Sequence, residues 1–418
     1  MNWLYDLLPL PGTTVLVALG ALALGITAGV VGSLAVLQQR SLVGDAIAHA
    51  ALPGIAVAFI VSGARDSATL TIGAVIAAAV AAALILRLQR TPRLRADAAI
   101  GVVLAGAFSV GVVLLTWITG SGRGDQAGLE SYLFGQASGI VESDVTLSFT
   151  LMAIALIAVI VLTRILRAVT FDRTFSAAAG LPVRFAEAAS AALLVIAVVV
   201  GLRMVGAILM VVMLIAPAVA ARQFVTRLSP MLALSGLIGA VVGVSGALAS
   251  SAAGVPTGPV IALIGTATAV LAVLLAPHRG VAWTARHRMR ARSRLRRTEL
   301  LLALDHAQPA APRMPDAVAG DMGRSVRWVR RGLGSLQRAG LAVVANDAVT
   351  LTEAGRREAQ RAREAVLAWS AWIEHGWRLG LPDAREPNPL DLAGSLGDEM
   401  AARLARMARE DPAHAAVR

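Results

Sequence analysis

The 418-residue chain contains no cysteine and no lysine. Without thiols it has neither disulfides nor thiolate metal sites. All 38 of its basic side chains are arginines, and no function follows from that. Charge is sparse at 15% of residues, aromatics make up only 4%, and the nucleotide-binding pattern GxxxxGK[ST] is absent. Any nucleotide hydrolysis must therefore come from a separate subunit. What the chain does have is apolar surface. It is 57% hydrophobic with a mean hydropathy of +0.71, too apolar for a soluble protein of this length. It reads as an integral membrane protein. Residues 1–277 hold 14 arginines against 10 acids, net +4, whereas 278–418 hold 24 against 16, net +8, so two parts of different character meet near Pro277. The first twelve residues hold Asp6 and no base, and the apolar run that follows is longer than a signal-peptide core. The first span is expected to stay in the protein.

Apolar runs able to cross about 30 Å of hydrocarbon fall at 13–37, 42–62, 68–86, 98–118, 145–163, 187–202, 204–221, 231–251 and 258–276. The expected fold is mainly α, a polytopic helical membrane bundle of about nine spans. Eight are possible if the short pair 187–202 and 204–221 does not cross twice. Arg40, Arg87, Arg90, Arg93, Arg95, Arg164, Arg167, Arg173, Arg184, Arg222 and Arg227 fall on one side, and Arg65, Arg123 and Arg203 on the other. The positive-inside bias predicts an outer N-terminus and a cytoplasmic C-terminal region. Gly, Ala, Ser and Thr are frequent within the runs, which suits helices that pack closely in lipid. Pro53, Pro217 and Pro256 are expected to break helices, either as packing kinks or along a pathway.

Asp45 and His49 stand four residues apart in Arg40–Gly54, RSLVGDAIAHAALPG. A carboxylate at the bilayer centre costs on the order of 3 kcal/mol on insertion scales, so it normally meets a partner, a cavity or an ion. The i, i+4 spacing puts both groups on one helix face, about 6 Å apart in rise, where they suit a divalent Mn, Zn or Fe(II) ion in transit. The competing expectation is a structural pair, with Asp45 salt-bridged to Arg40 at the inner boundary. Asp97 is a weaker ligand candidate, since the arginines before it would explain it. Glu130, Glu142 and Asp144 read as outer loop charges, and Met204, Met210 and Met213 as packing.

Beyond the spans, 278–297 is a basic linker suited to anionic headgroups, with Trp283 at the interface. Helices are predicted at Thr298–His306, Met314–Asp321 and Ser325–Ala339, the last capped by Ser325 and stopped by Gly340. Leu341–Val344 and Val349–Leu351, split by Asn346-Asp347, form a predicted hairpin. That order is a winged helix-turn-helix at 298–355. It is followed by a helical region at 356–418 with helices at Glu353–Leu379 and Leu390–Arg409. Arg324, Arg327, Arg330 and Arg331 could meet phosphates, but tethering to the membrane, and Gly332 and Gly334 within the helix, favour a regulatory or dimer-stabilising role.

The Arg40–Gly54 stretch strongly resembles the second-helix signature of the ABC-3 metal permeases. Ala96–Leu115, Leu129–Gln136 (LESYLFGQ), Phe171–Phe185 (FDRTFSAAAGLPVRF), Gly201–Arg222 and Gly254–Leu263 fit the same family in order. The resemblance implies the membrane permease subunit of an ATP-driven importer of manganese, zinc or iron, and no enzyme. Such a subunit is multi-pass in a bacterial-type plasma membrane. It pairs with a second copy or a related permease, rests on cytoplasmic ATPase subunits and receives the ion from an extracytoplasmic binding protein. The metal is cargo, and no cofactor is implied. Phe171, Asp172, Ala179, Gly180, Leu181, Pro182 and Val183 match the family's ATPase-coupling segment, with Gly180 ending a short helix. The C-terminal region resembles the DtxR-like iron-dependent repressors, including Gly380–Pro382 and Asp411–His414. Those repressors ligate metal through a His/Cys-or-Glu/Glu-His cluster, whereas Ala384–Met400 holds no histidine or cysteine; His375 and His414 remain. A membrane-anchored, metal-responsive transcription regulator is the alternative, and a proton-coupled carrier a third.

Overall fold

A computed structural model of the chain describes residues 11–63, 67–91, 94–120, 140–204, 206–277, 280–306, 312–375 and 392–410. Arg65, Arg93, Arg123, Glu130, Leu129–Gln136, Gly380–Pro382 and Asp411–His414 lie outside them. The chain divides into two compact units, residues 1–284 and 285–418.

In the first unit every predicted apolar run is a helix: α1 (Gly12–Leu37), α2 (Ser41–Ser62), α3 (Ser67–Leu88), α4 (Ala96–Gly120), α5 (Glu142–Phe171), α7 (Val183–Met204), α8 (Ala207–Phe224), α9 (Leu228–Ala253) and α10 (Thr257–Leu275). A short helix, α6 (Arg173–Ala178), lies between α5 and α7. Among the described residues seven helices, α1 to α5, α9 and α10, are long and apolar enough to cross a membrane. The two that fall short are the pair already singled out. Arg184 and Glu187 sit in the opening turns of α7, and α8 offers only the shorter apolar stretch Met210–Phe224.

Helix α1 is the hub, packed against α5, α7, α8 and α9. Its contact with α9 is backbone against backbone. A Cβ on Gly25 would collide with the carbonyl of Gly239, one on Gly239 with the carbonyl of Gly25, and one on Gly243 with that of Ala21. At this closest approach the buried Ser235 hydroxyl donates to the Gly29 carbonyl across the helices at 2.6 Å. Small residues let helix axes approach where lipid gives no hydrophobic drive. Helix α2 packs on α3 and α4. The outer faces of α4 and α5 expose Val102, Val113, Trp117, Ile157, Ile160 and Val161, as lipid-facing surface requires.

Pro53 and Pro217 do not break their helices, as they lie inside α2 and α8, and only Pro256 marks a boundary, at the N-cap of α10. A proline removes one i→i−4 bond, and tightly packed neighbours hold the rest of the helix in line.

The second unit contains most of α11 (Val281–His306), then α12 (Pro315–Asp321), α13 (Val326–Arg338), β1 (Ala342–Ala345), β2 (Ala348–Leu351), α14 (Glu353–His375), α15 (Leu392–Leu396) and α16 (Asp398–Glu410). The basic run expected as a linker is therefore largely helical and continuous with the helix predicted from Thr298. The strands pair antiparallel, Ala345 opposite Ala348, and Asn346 and Asp347 take φ of +50° and +59° in the two-residue turn. Arg313 adds a bridge to Val349. Leu300, Leu304, Val329, Leu333, Leu336 and Val349 form the core. Gly332 and Gly334 do not interrupt α13, because a Cβ on Gly332 would strike Leu300, so the glycine is what lets α11 pack there. The helix predicted over Leu390–Arg409 is instead split by Gly397, at φ +88°.

The Gly25–Gly239 contact makes a direct prediction. Gly25→Ala is expected to lower the thermal midpoint in detergent, by the equivalent of about 1–3 kcal/mol for overpacking. Gly106→Ala, in α4 with nothing within 4 Å of its Cβ position, is expected to be neutral or to gain up to about 1 kcal/mol. Equal midpoints for the two variants would reject the close-approach account.

Candidate metal path and coupling segment

Helices α1 and α2 are joined by a tight reversal. Gln39 takes φ +56° and the Arg40 amide donates to the Ala35 carbonyl at 2.8 Å, closing α1 just before Ser41 begins α2. A non-glycine residue pays roughly 1–2 kcal/mol for that left-handed conformation, so the surroundings must hold it.

On α2 the residues around the candidate pair are buried, among them Ala46, Ile47, Ala50 and Ala51. Asp45 and His49 are half-buried, with side chains 25% and 18% exposed, and His49 Nε2 lies 3.3 Å from Asp45 Oδ1. Two ligands about 2.1 Å from one ion at roughly tetrahedral angles stand about 3.4 Å apart, so this spacing needs little change to seat a metal. Among the described residues, buried His49 Nδ1 has no hydrogen-bond partner. Phe108 of α4 meets the imidazole edge to face, centroids 5.2 Å apart, and fixes the ring plane. Pro53 has no N–H, so the His49 carbonyl loses its helical donor, leaving a backbone oxygen one turn along the same helix. The pair presents one nitrogen and one carboxylate, a set compatible with Mn, Fe(II) or Zn. Among the described residues no group of three His, Cys, Asp or Glu is assembled. Two side chains are fewer than the four ligands with which a permanent structural site closes around its ion.

The salt bridge expected between Arg40 and Asp45 does not form. Arg40 turns instead to Glu187 of α7, its Nη2 donating to Oε1 at 3.3 Å. Asp97 does not join the pair, standing exposed in the first turn of α4 where a negative charge suits the helix N-terminus. Glu142 and Asp144 begin α5, and Asp144 accepts from the Val141 amide at 3.3 Å. Met210 and Met213 are fully buried packing.

The segment Phe171–Phe185 folds as a short capped helix. The Asp172 carboxylate accepts from the Phe175 amide at 2.8 Å, Ser176 turns its hydroxyl back to the Asp172 carbonyl at 2.7 Å, and Gly180 closes the helix at φ +76°. Ala179 is the C-cap, while Leu181 and Pro182 lead directly into α7 at Val183. Phe171, Phe175 and Phe185 are all exposed, leaving an apolar surface on a charged loop.

Sequence reasoning missed Glu187. Only 6% exposed, its carboxylate faces Arg40 at 3.3 Å, Arg173 at 3.0 Å and Arg90 at 3.9 Å. The available signal was an acid in the opening turns of an otherwise apolar run, flanked by arginine-rich loops. Beside it Gln38 donates to Thr170 at 3.3 Å and Ser190 at 3.2 Å, and a cavity of about 350 Å³ is lined by Gln38, Arg40, Thr170, Arg173 and Glu187.

In the second unit Arg324 pairs with Glu299 at 3.4 Å and lies over the Trp328 ring, and Arg330 pairs with Asp347 at 3.6 Å. Arg327 and Arg331 are exposed on α13.

A tightly packed polytopic helix bundle, with a half-buried aspartate–histidine pair on one helix and a short exposed helix between two long ones, is the architecture of a transport permease. Residues 13–276 match the ABC 3 transport family, and the chain belongs to that family. It is 42% identical over 286 residues to the manganese transport system membrane protein MntC of Bacillus subtilis, covering 68% of this chain and 66% of that protein. It is equally 42% identical over 268 residues to the zinc transport system membrane protein TroC of Treponema pallidum, covering 63% of this chain and 89% of that one. The solved structure of PsaBC from Streptococcus pneumoniae in complex with Fab superposes with a TM-score of 0.58 at 29% identity, covering 67% of this chain and 98% of that one. The protein is thus a multi-pass transport subunit and not an enzyme.

If Asp172 organises α6, Asp172→Ala should cost about 1 kcal/mol of local stability. The check is faster amide exchange at Phe175 and its neighbours with the α1 amides unchanged; unaltered exchange at Phe175 would remove the cap.

Proposed function

We propose that this chain is the permease of an ATP-driven importer that passes divalent transition-metal ions inward, with Asp45 and His49 as the ligands met in transit. The observation that carries the reading is the 3.3 Å approach of an imidazole nitrogen and a carboxylate oxygen on α2, in a chain of the ABC 3 transport family. The named relatives divide between manganese and zinc at equal identity, and the N/O pair accepts Mn, Fe(II) and Zn alike. Water or the second protomer of a dimer would complete the coordination. Asp97 sits apart from the pair, which favours a boundary role for it.

In this reading α7 and α8 cross with the seven longer helices, giving nine spans, an outer N-terminus and a cytoplasmic C-terminal region in an inner membrane. The arginine distribution supports that orientation. Phe171–Phe185 would then face the cytoplasm and dock, through its exposed phenylalanines, on a separate ATPase. An extracytoplasmic binding protein would deliver the ion.

The C-terminal unit reads as a winged helix-turn-helix followed by a helical region, with a DtxR-like order of elements but no histidine or cysteine in Ala384–Met400. A regulatory or dimer-stabilising role suits it better than DNA binding, because Arg324 and Arg330 are already engaged by Glu299 and Asp347.

With the ATPase and binding protein present, Asp45→Ala and His49→Ala are each expected to cut ATP-dependent uptake of radioactive Mn, Zn or Fe at least tenfold while membrane insertion stays normal. Full uptake by the double variant would sink the site. For the second unit, the purified full-length protein in detergent is expected to show no sequence-specific DNA retention at moderate salt, and a specific shift would instead favour the regulator.

A further inference from the structure

The carboxylate of Glu187 is a junction between segments far apart in the chain. Its Oε1 meets Arg40 at 3.3 Å and Arg173 at 3.0 Å, and its Oε2 faces Arg90 at 3.9 Å. Arg40 precedes α2, Arg90 follows α3, Arg173 opens α6, and Glu187 belongs to α7. With its side chain 6% exposed, Glu187 carries a desolvation penalty that close cationic partners must offset. Arg173, by contrast, is 62% exposed and opens the short helix α6, on which Phe175 is exposed as well. Asp45 lies five residues beyond Arg40 on continuous helix, about 7.5 Å of rise.

From these positions we propose that Glu187 is a positioning residue that transmits displacement of α6 to α2, and thereby to Asp45 and His49, through the chain Arg173–Glu187–Arg40. This rests on the permease reading and on Phe171–Phe185 as the segment that an ATPase moves. Two features suit the cluster to a two-position link. First, the joint that aims Arg40 is held in the left-handed conformation at Gln39, φ +56°, so α2 starts from a fixed point that moves as a body with its arginine. Second, the cavity of about 350 Å³ lined by Gln38, Arg40, Thr170, Phe171, Arg173 and Glu187 leaves space for the side chains to exchange partners. When α6 shifts, Arg173 pulls on or releases the carboxylate, and Arg40 and Arg90 take up the charge that is freed. The ends of α2 and α3 then follow. Gln38, bonded to both Thr170 and Ser190, ties the end of α1 to α5 and α7 and serves as the static side of the joint.

The test uses the complete transporter, the full chain with its ATPase and binding protein in proteoliposomes, reading metal uptake and ATP hydrolysis together. Glu187→Gln keeps the shape and removes the charge. It is expected to assemble normally and hydrolyse ATP within about twofold of the parent, yet to deliver at least tenfold less metal per ATP. Glu187→Asp is expected to recover part of the loss. Arg173→Gln removes a side chain that is itself 62% exposed and leaves Arg40 and Arg90 beside the carboxylate, and it is expected to lower metal per ATP in the same direction with assembly retained. An unchanged ratio in Arg173→Gln, or uptake and hydrolysis falling in proportion in Glu187→Gln, would overturn the link and leave the cluster a structural clamp. A parent protein without ATP-dependent uptake would instead overturn the permease reading, so the two failures are separable.

Discussion

Everything in the membrane unit hangs on the approach of α1 to α9, where glycine faces carbonyl at Gly25, Gly239 and Gly243. In lipid, helices gain nothing by hiding apolar side chains from one another, so cohesion comes from dispersion over a close contact and from a few polar bonds. The Ser235 hydroxyl on the Gly29 carbonyl is such a bond, possible only because no side chain separates the two backbones. With α1 held there, α5, α7 and α8 pack around it, and α2 leaves its end through a joint too short to wander.

That placement determines what the candidate ligands can do. One side of α2 is locked by Ala46, Ile47, Ala50 and Ala51, while Asp45 and His49 remain partly accessible on the other. The rigid side fixes the nitrogen–oxygen separation, and Phe108 restrains the imidazole plane. The accessible side keeps coordination incomplete. A carrier needs that combination, because an ion caged by four protein ligands would not leave on the timescale of transport.

Much of this was legible in the sequence because the relevant signals are local. Hydropathy placed most helix ends to within a few residues, although α5 runs eight residues past the predicted 163 to Phe171, and the i, i+4 spacing brought Asp45 to His49. Gly180 and Gly340 stopped their helices in left-handed conformations, and Asn346-Asp347 turned the hairpin. What was not legible depends on tertiary partners. Arg40 chose Glu187, 147 residues away, over the nearer Asp45. Helix propensity cannot foresee that choice, since it is made by the packing of α7 against α1. Pro53 and Pro217 were expected to break helices and Gly332 to interrupt α13. In each case neighbouring elements decide the outcome, and at Gly332 the missing Cβ is filled by Leu300. The continuity of α11 through the basic run likewise has no apolar periodicity to announce it.

The Glu187 cluster also shows why stability alone is a poor account of polar groups in a membrane protein. A buried ion pair is often no more stabilising than well-packed apolar residues of the same volume, while removing one partner is severely destabilising. An apolar plug at the same place would hold α2, α6 and α7 together equally well, but would not distinguish one partner from another. A carboxylate among three arginines can be satisfied by different subsets of them, each with its own geometry. Arrangements of similar energy are what a transporter alternating between two states requires of its joints. The charge at Glu187 is therefore better understood as giving the arginine-bearing end of the bundle a choice of arrangements than as holding it in one.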